Sequence, residues 1–203
     1  VMSWKSFLIV IGLMMAGTAH AAPVILVYGD SLSAGYGLAA HQAWPNLLQQ
    51  RLAAKKQNWQ VVNASISGET SAGGVSRLPV TLAQHRPAIV ILALGANDGL
   101  RGLPVDALYN NLNNMMQQIR KSGARILLVG IRIPPNYGMV YTEKFQQTYR
   151  NLAQQHHAAF LSSLLLGIET RPELFQADGL HPVASAETLI VDNVWQHLSP
   201  LLK

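Results

Sequence analysis

Residues 24–33 read VILVYGDSLS, an apolar run that ends in a glycine, with an aspartate and a serine directly behind it. A continuous apolar run of this length is typical of a strand that is buried on both faces of a sheet. A sharp turn at the end of such a strand lifts the next side chain to where a substrate can reach it. Two hypotheses follow for Ser31: it is a nucleophile activated by a base elsewhere in the chain, or its hydroxyl only caps the following helix.

Short apolar segments alternate with helical patterns along the rest of the chain. Strands are predicted at residues 24–28, 59–64, 89–94, 126–131 and 159–161, and helices at residues 44–56, 75–84, 105–122, 141–156 and 184–198. This alternation predicts an α/β fold with three layers (αβα) and a flavodoxin-like, doubly wound sheet of about five parallel strands. Such sheets bind ligands outside the carboxyl ends of their strands, so we expect the chemistry in those loops.

The loops predicted at this edge carry residues suited to acyl transfer. Asp178 precedes His181 by three residues, so its carboxylate can accept a hydrogen bond from Nδ1–H and leave Nε2 free as a base. Gly68, the side-chain amide of Asn97 and the backbone N–H of Ser31 are candidate donors to a tetrahedral oxyanion. Each residue alone is also typical of an ordinary turn. Their occurrence in four separate sheet-end loops favours a catalytic site.

The composition narrows the class of protein. The chain has 203 residues, of which 49% are hydrophobic and 12% charged, and this suits one folded domain with a full core. The net charge is +5, but the basic residues are scattered, so we expect no nucleic-acid partner. The absence of cysteine excludes disulfides and thiol nucleophiles. Since His156 and His157 are adjacent and no H-E-x-x-H motif occurs, we expect no metal, and we expect no cofactor.

The first residues have the pattern of a secretory signal. Lys5 precedes an apolar run over residues 7–16, and Ala19-His20-Ala21 has the small-x-small form of a cleavage site. The run is too short to span a bilayer comfortably. We therefore expect residues 1–21 to be a signal peptide, residues 22–203 to form a single domain, and the mature protein to be periplasmic or secreted from a bacterium.

Taken together, the motifs resemble the four motif blocks of the SGNH (GDSL) hydrolase family. The matching residues are GDSLS at 29–33, Gly68, the glycine and asparagine of GAND at 95–98, and the aspartate and histidine of DGLH at 178–181. The wider blocks at residues 30–36, 62–68, 97–102 and 136–138 resemble its group of bacterial periplasmic thioesterases, lysophospholipases and arylesterases. The resemblance covers essentially the whole chain after the predicted signal.

The resemblance implies a role for each of these residues. Ser31 is then the nucleophile, His181 the general base and Asp178 the residue that orients it, while Ser31, Gly68 and Asn97 form the oxyanion hole. Asp30 is expected to be structural, and the segment at residues 99–104 is expected to move when substrate binds. A further prediction is that the acyl group is bound by Leu32, Gly99, Leu100, Ile133, Pro134 and Tyr137.

The implied activity is hydrolysis of small acyl esters and thioesters, including lysophospholipids, through an acyl-enzyme and without metal or cofactor. The implied protein is a monomer that does not stay inserted in a membrane after signal cleavage. Two other functions remain open: a carbohydrate acetylesterase of the same fold, and a non-catalytic ligand-binding module. A dinucleotide site is disfavoured, because the GYGLAA stretch at residues 35–40 lies beyond the predicted strand end and no acidic residue follows the second strand.

Overall fold

The computed structural model describes residues 21–203, so the predicted signal peptide, apart from Ala21, lies outside the described residues. The described chain alternates strands and helices as its hydrophobic pattern predicts. In chain order the elements are β1 Val24–Gly29, α1 Ser31–Ala34, α2 Trp44–Ala54, β2 Gln60–Asn63, α3 Ser71–His85, β3 Ile89–Ala93, α4 Ala96–Leu100, α5 Val105–Lys121, β4 Arg125–Val129, α6 Met139–His156, β5 Ala159–Leu161 and α7 Ala184–Leu198.

The five strands form one parallel sheet in the order β2-β1-β3-β4-β5. This confirms the predicted α/β class and the flavodoxin-like sheet of five parallel strands. The central strands β1 and β3 are continuous apolar runs because both of their faces are covered, and every residue of β3 is buried. The strand order reverses next to β1, so the loop after β1 lies at the point where such sheets bind ligands.

The helices form two packed groups that enclose the sheet. Helices α2 and α7 contact each other, while α5 contacts both α3 and α6. Right-handed crossovers place the two groups on opposite faces of the sheet. The buried face of α5 comprises Val105, Leu108, Leu112, Met115, Met116 and Ile119. Met115 and Met116 are therefore core residues.

Several predicted boundaries differ from the structure by one or two residues, and the start of α3 differs by four. Helix α3 begins at Ser71 rather than at residue 75, because the Thr70 side chain accepts a hydrogen bond from the backbone N–H of Gly73. The predicted loop at residues 95–104 contains the short helix α4. Strand β4 ends at Val129, two residues before the predicted end.

None of the helices within residues 21–203 combines the length and the apolar character needed to cross a membrane.

Candidate active site

The structure brings Ser31, His181 and Asp178 into one hydrogen-bonded chain, although Ser31 and His181 are 150 residues apart in sequence. The Oγ atom of Ser31 lies 2.8 Å from Nε2 of His181. On the other side of the ring, Nδ1 lies 2.7 Å from Oδ2 of Asp178. Ser31 begins α1, one residue beyond the end of β1, and the other two residues lie in the loop before α7. This is the arrangement in which an imidazole can take the proton of a hydroxyl.

Backbone hydrogen bonds hold the carboxylate of Asp178 in place. Its Oδ1 atom accepts from the N–H groups of Leu180 at 2.9 Å and His181 at 3.0 Å. These two backbone bonds, and then the bond from the His181 ring, lower the pKa of Asp178 to about 2. The carboxylate is therefore ionised over any ordinary assay range and can stabilise an imidazolium beside it.

The helix-cap hypothesis for Ser31 is wrong, because Asp30 occupies that position. Oδ1 of Asp30 accepts from the N–H of Leu32 at 3.1 Å, and Ser31 is the first residue of α1. The side chain of Asp30 is completely buried, and burial raises its pKa to about 7. Asp30 is structural, as expected, and the hydroxyl of Ser31 is left to bond with His181.

Two of the candidate oxyanion donors follow the strands on either side of β1: Gly68 lies in the loop after β2, and Asn97 lies in the short helix α4 after β3. Gly68 has φ of +80°, and no atom of residues 21–203 beyond its two chain neighbours lies within 4 Å of where a Cβ would be, so a substrate can approach its backbone. The amide nitrogen of Asn97 donates one hydrogen bond to the carbonyl of Glu69 at 2.9 Å. A side-chain amide has two hydrogens, so the second remains available to a substrate.

Buried hydrogen bonds fix the segment around Asn97 from both sides. Both carboxylate oxygens of Asp98 accept from Ser71, one from the N–H at 2.8 Å and one from the hydroxyl at 2.5 Å. The hydroxyl of Tyr149 donates to the carbonyl of Leu94 at 2.9 Å. Between them Gly95 has φ of +123°, and a Cβ there would lie 2.1 Å from the Tyr149 hydroxyl oxygen. Only glycine fits this turn.

The predicted acyl-binding residues come from three loops of the same edge. Leu32 and Ile133 are buried, Leu100 and Tyr137 are half-buried, and Pro134 is exposed. Gly99 is close to Ile133, since a Cβ on Gly99 would lie 2.4 Å from Ile133 Cγ2. The hydroxyl of Tyr137 donates to the carbonyl of Leu100 at 2.8 Å. The segments that follow β3 and β4 are therefore in contact. That an acyl group binds there remains a prediction.

Sequence reasoning missed two residues that support His181. The ring of Tyr36 lies 4.4 Å from the imidazole, measured between centroids, with an interplanar angle of 35°. The backbone N–H of Gln176 donates to the carbonyl of His181 at 2.7 Å. The side-chain amide of Gln176 donates to the carbonyl of Tyr36 at 2.8 Å. Tyr36 lies in the motif block at residues 30–36, and its place there could have indicated that it belongs to the site. Gln176 carried no local signal.

A groove elsewhere on the described surface contains none of the residues of this site. The groove, of about 670 Å³, lies between α5 and α6, and its lining is largely polar and charged, including Asp106, Glu143 and Lys144. In the same described range, no three histidine, aspartate or glutamate side chains gather as metal ligands would.

Comparison with known sequences agrees with this geometry. The profile of the family described as "GDSL-like Lipase/Acylhydrolase family" matches residues 27–187. Esterase TesA of Pseudomonas aeruginosa is 46% identical over 192 residues, which cover 95% of this chain and 96% of that protein. Thioesterase 1/protease 1/lysophospholipase L1 of Escherichia coli K12 is 41% identical over 184 residues, which cover 91% of this chain and 87% of that protein.

Solved structures agree as well. A crystal structure of TesA superposes with a TM-score of 0.86 at 48% identity, covering 88% of this chain and 99% of that one. The psychrotrophic esterase EstA from Pseudoalteromonas sp., inhibited by monoethylphosphonate, superposes with a TM-score of 0.85 at 38% identity, covering 88% and 98%. The chain therefore belongs to the GDSL-like lipase/acylhydrolase family.

Proposed function

We propose that this protein is a serine acyl hydrolase that cleaves carboxylic esters and thioesters through an acyl-enzyme on Ser31. The observation that carries the proposal is the hydrogen-bonded chain from the Ser31 hydroxyl through both ring nitrogens of His181 to Asp178, with bonds of 2.8 and 2.7 Å. A weakly nucleophilic hydroxyl needs such a base, and the base needs an acid that fixes its tautomer.

In the first step Ser31 Oγ attacks the substrate carbonyl while Nε2 of His181 takes the hydroxyl proton. The tetrahedral intermediate carries its negative charge on the former carbonyl oxygen. The N–H groups of Ser31 and Gly68 and the amide of Asn97 donate to that oxygen, which lowers the barrier. When the carbon–oxygen or carbon–sulfur bond breaks, His181 returns the proton to the departing alcohol or thiol.

In the second step His181 accepts a proton from a water molecule while the water oxygen attacks the acyl-enzyme carbonyl. When the bond between that carbon and Ser31 Oγ breaks, His181 returns the proton to Ser31, which releases the carboxylic acid and restores the hydroxyl. Throughout both steps the ionised Asp178 stabilises the imidazolium, because its lowered pKa keeps it charged at the pH of the reaction. The chemistry uses groups of the protein alone, so neither metal nor cofactor is part of the proposal.

The proposed substrates are small acyl esters and thioesters, with lysophospholipids among them. Two observations support this range: the relatives bear the names esterase, thioesterase and lysophospholipase, and the predicted acyl contacts Leu32, Leu100 and Ile133 are apolar. We further propose that residues 1–21 are removed as a signal peptide, and that residues 22–203 act as one monomeric domain in the bacterial periplasm or outside the cell.

Hydrolysis of p-nitrophenyl esters from acetyl to palmitoyl tests the proposal, with Ser31→Ala as the diagnostic variant. Ser33→Ala is the matched control, since Ser33 lies two residues away in the same motif and its buried hydroxyl has no hydrogen-bond partner within the described residues. We expect activity that increases beyond the acetyl ester, disappears in Ser31→Ala and persists in Ser33→Ala.

Other outcomes would contradict parts of the proposal. Activity confined to the acetyl ester would favour a carbohydrate acetylesterase. Full activity in Ser31→Ala would remove Ser31 from the chemistry. A folded protein with no activity on any ester or thioester would favour a non-catalytic binding module.

A further inference from the structure

The loop that carries the base is closed on itself, and its distance from the nucleophile is set separately. Phe175 and Pro182 pair as an isolated antiparallel bridge, and the middle of the loop between them is exposed. The bond between Asp178 and His181 lies inside this loop. The bond from His181 to Ser31 instead joins the loop to a segment 150 residues away. Its length therefore depends on how the two segments are held against each other.

The side chain of Gln176 bridges these two segments. Its amide nitrogen donates to the carbonyl of Tyr36 at 2.8 Å and to the carbonyl of Pro182 at 2.9 Å. Both hydrogens of the amide are thereby used. Tyr36 lies five residues after Ser31, and Pro182 directly follows His181. The amide therefore links the backbone beside the base to the segment that begins at the nucleophile.

Few other hydrogen bonds hold the two segments, residues 31–43 and residues 175–183, together. In the part of the chain that the structure describes, two hydrogen bonds join them. One is the bond between Ser31 and His181, and the other is the bond from the Gln176 side chain. The backbone N–H of Gln176 also donates to the carbonyl of His181 at 2.7 Å. The residue that holds the second segment is thus itself bonded to the base.

The same amide fixes the backbone of an aromatic residue that lies against the base. The ring of Tyr36 is 4.4 Å from the imidazole of His181, measured between centroids. The Tyr36 carbonyl is the group that accepts from Gln176. The oxygen of that amide lies close to Gly37, where an added Cβ would be 2.2 Å from it. Loss of the amide would therefore loosen both the loop and the ring beside the imidazole.

We propose that Gln176 is a positioning residue for the reaction, and that its side-chain amide holds Nε2 of His181 within hydrogen-bond reach of Ser31 Oγ. Its hydrogen bonds go to backbone carbonyls and not to the reacting atoms. A misplacement of about 1 Å between reacting groups can cost about 10²-fold in rate, so one amide can have a large effect. The effect on rate rests on the proposed function, whereas the effect on the distance does not.

Gln176→Met tests this role, because methionine has a similar length and lacks both amide donors. Gln49→Met is the matched control. Gln49 is also half-buried, and its side chain bonds to the backbone of Trp59 at 3.2 Å and of Val61 at 2.7 Å. These bonds lie where β2 begins, at the edge of the sheet opposite to the site. The control thus loses a similar contact far from the base.

We expect kcat of Gln176→Met on p-nitrophenyl butyrate to fall about 10- to 100-fold, with KM within about twofold of wild type. The reason is that the variant disturbs the alignment of the base and leaves the acyl contacts in place. Gln49→Met should stay within about twofold of wild type in both constants. Urea unfolding of both variants checks that each remains folded under the assay conditions.

A double-mutant cycle with His181→Ala separates positioning from general damage to the site. The readout is the rate at which a fluorophosphonate labels Ser31. In the His181→Ala background, Gln176→Met should slow labelling by less than about twofold, because the residue through which Gln176 acts is already absent. An equal slowing in both backgrounds would overturn the proposal, since Gln176 would then act without His181.

Crystal structures of wild type and Gln176→Met test the geometry without any reaction. We expect Ser31 Oγ and His181 Nε2 to separate beyond about 3.5 Å, while Asp178 stays bonded to Nδ1. An unchanged distance of 2.8 Å in the variant, or a kcat within about twofold of wild type, would overturn the proposal. If wild type hydrolyses no ester, the proposed function fails, and the distance in the variant decides whether Gln176 positions His181.

Discussion

Asp178→Asn removes one hydrogen-bond acceptor from the residue that orients His181 and keeps its size. The carboxylate accepts the N–H groups of Leu180 and His181 on Oδ1, at 2.9 and 3.0 Å, and ring Nδ1 on Oδ2, at 2.7 Å. An asparagine has a single oxygen, and the two backbone bonds hold it at the Oδ1 position. The NH₂ group then faces Nδ1, which must become an acceptor, so Nε2 carries the hydrogen and cannot take the proton of Ser31.

We expect turnover to fall about 10⁴-fold, the loss that this exchange causes in the serine protease triad, which is about 5 kcal/mol of barrier. KM should change little, since Asp178 touches the base rather than the acyl group. Initial rates on p-nitrophenyl butyrate measure the effect, and urea unfolding checks that the fold is kept. Asp192→Asn is the control, because Asp192 is a half-exposed carboxylate in α7 that pairs with Arg51 instead of with a residue of the triad.

If turnover of Asp178→Asn stayed within about tenfold of wild type, this reasoning would be refuted, because a histidine that carries its hydrogen on Nε2 cannot take the proton of Ser31. The pH profile gives a second check. Since the pKa of Asp178 is about 2, the carboxylate stays charged on the acid side of the profile. We therefore expect protonation of Asp178 to have no effect on turnover until the pH approaches 2.

Three further predictions concern the oxyanion donor and two buried carboxyl groups. Asn97→Ala should lower kcat about 10²- to 10³-fold with little change in KM, measured on the same ester, because it removes one donor to the oxyanion. Burial raises the pKa of Asp30 from 3.8 to about 7, so this group favours folding below pH 4, and that contribution is lost as the pH rises to 7. Denaturant unfolding at pH 4 and pH 8 measures the free energy of unfolding of both proteins. Relative to wild type, Asp30→Asn should be more stable at pH 8 than at pH 4 by up to about 4 kcal/mol. An equal difference between the two proteins at both pH values would contradict the assignment. Glu187 accepts the N–H of Trp44 at 2.6 Å, so Glu187→Ala should destabilise the fold by about 1–3 kcal/mol at pH 5, with Glu187→Gln closer to wild type.

The strands and long helices could be predicted because their hydrophobic pattern alone specifies them. β1 and β3 are unbroken apolar runs, and α5 repeats its apolar residues at helical spacing. The start of α3 was missed because its first turn holds Ala72, Gly73 and Gly74, which carry no such pattern, and only the Thr70 cap marks it. The five-residue α4 is too short for its periodicity to be read.

The residues of the site could be proposed from the sequence, but the residues that hold them in position could not. Ser31, Asp178 and His181 occur in recognisable motifs, and the sheet topology brings those motifs to one edge. The supporting contacts join residues that are distant in the chain and have no motif of their own. Glu187 reaches the first N–H of α2 from 143 residues away, where the local sequence offers no capping side chain. Tyr36 meets His181 only after the whole sheet has formed.

The central claim is that Ser31 is an activated nucleophile, and covalent labelling by a fluorophosphonate followed by mass spectrometry tests it most directly. We predict one adduct per chain, located on the peptide that contains Ser31, absent from Ser31→Ala and present in Ser33→Ala. Labelling should also slow strongly in His181→Ala, because the hydroxyl then has no base 2.8 Å away. An unlabelled folded protein, or an adduct that persists in Ser31→Ala, would contradict the account.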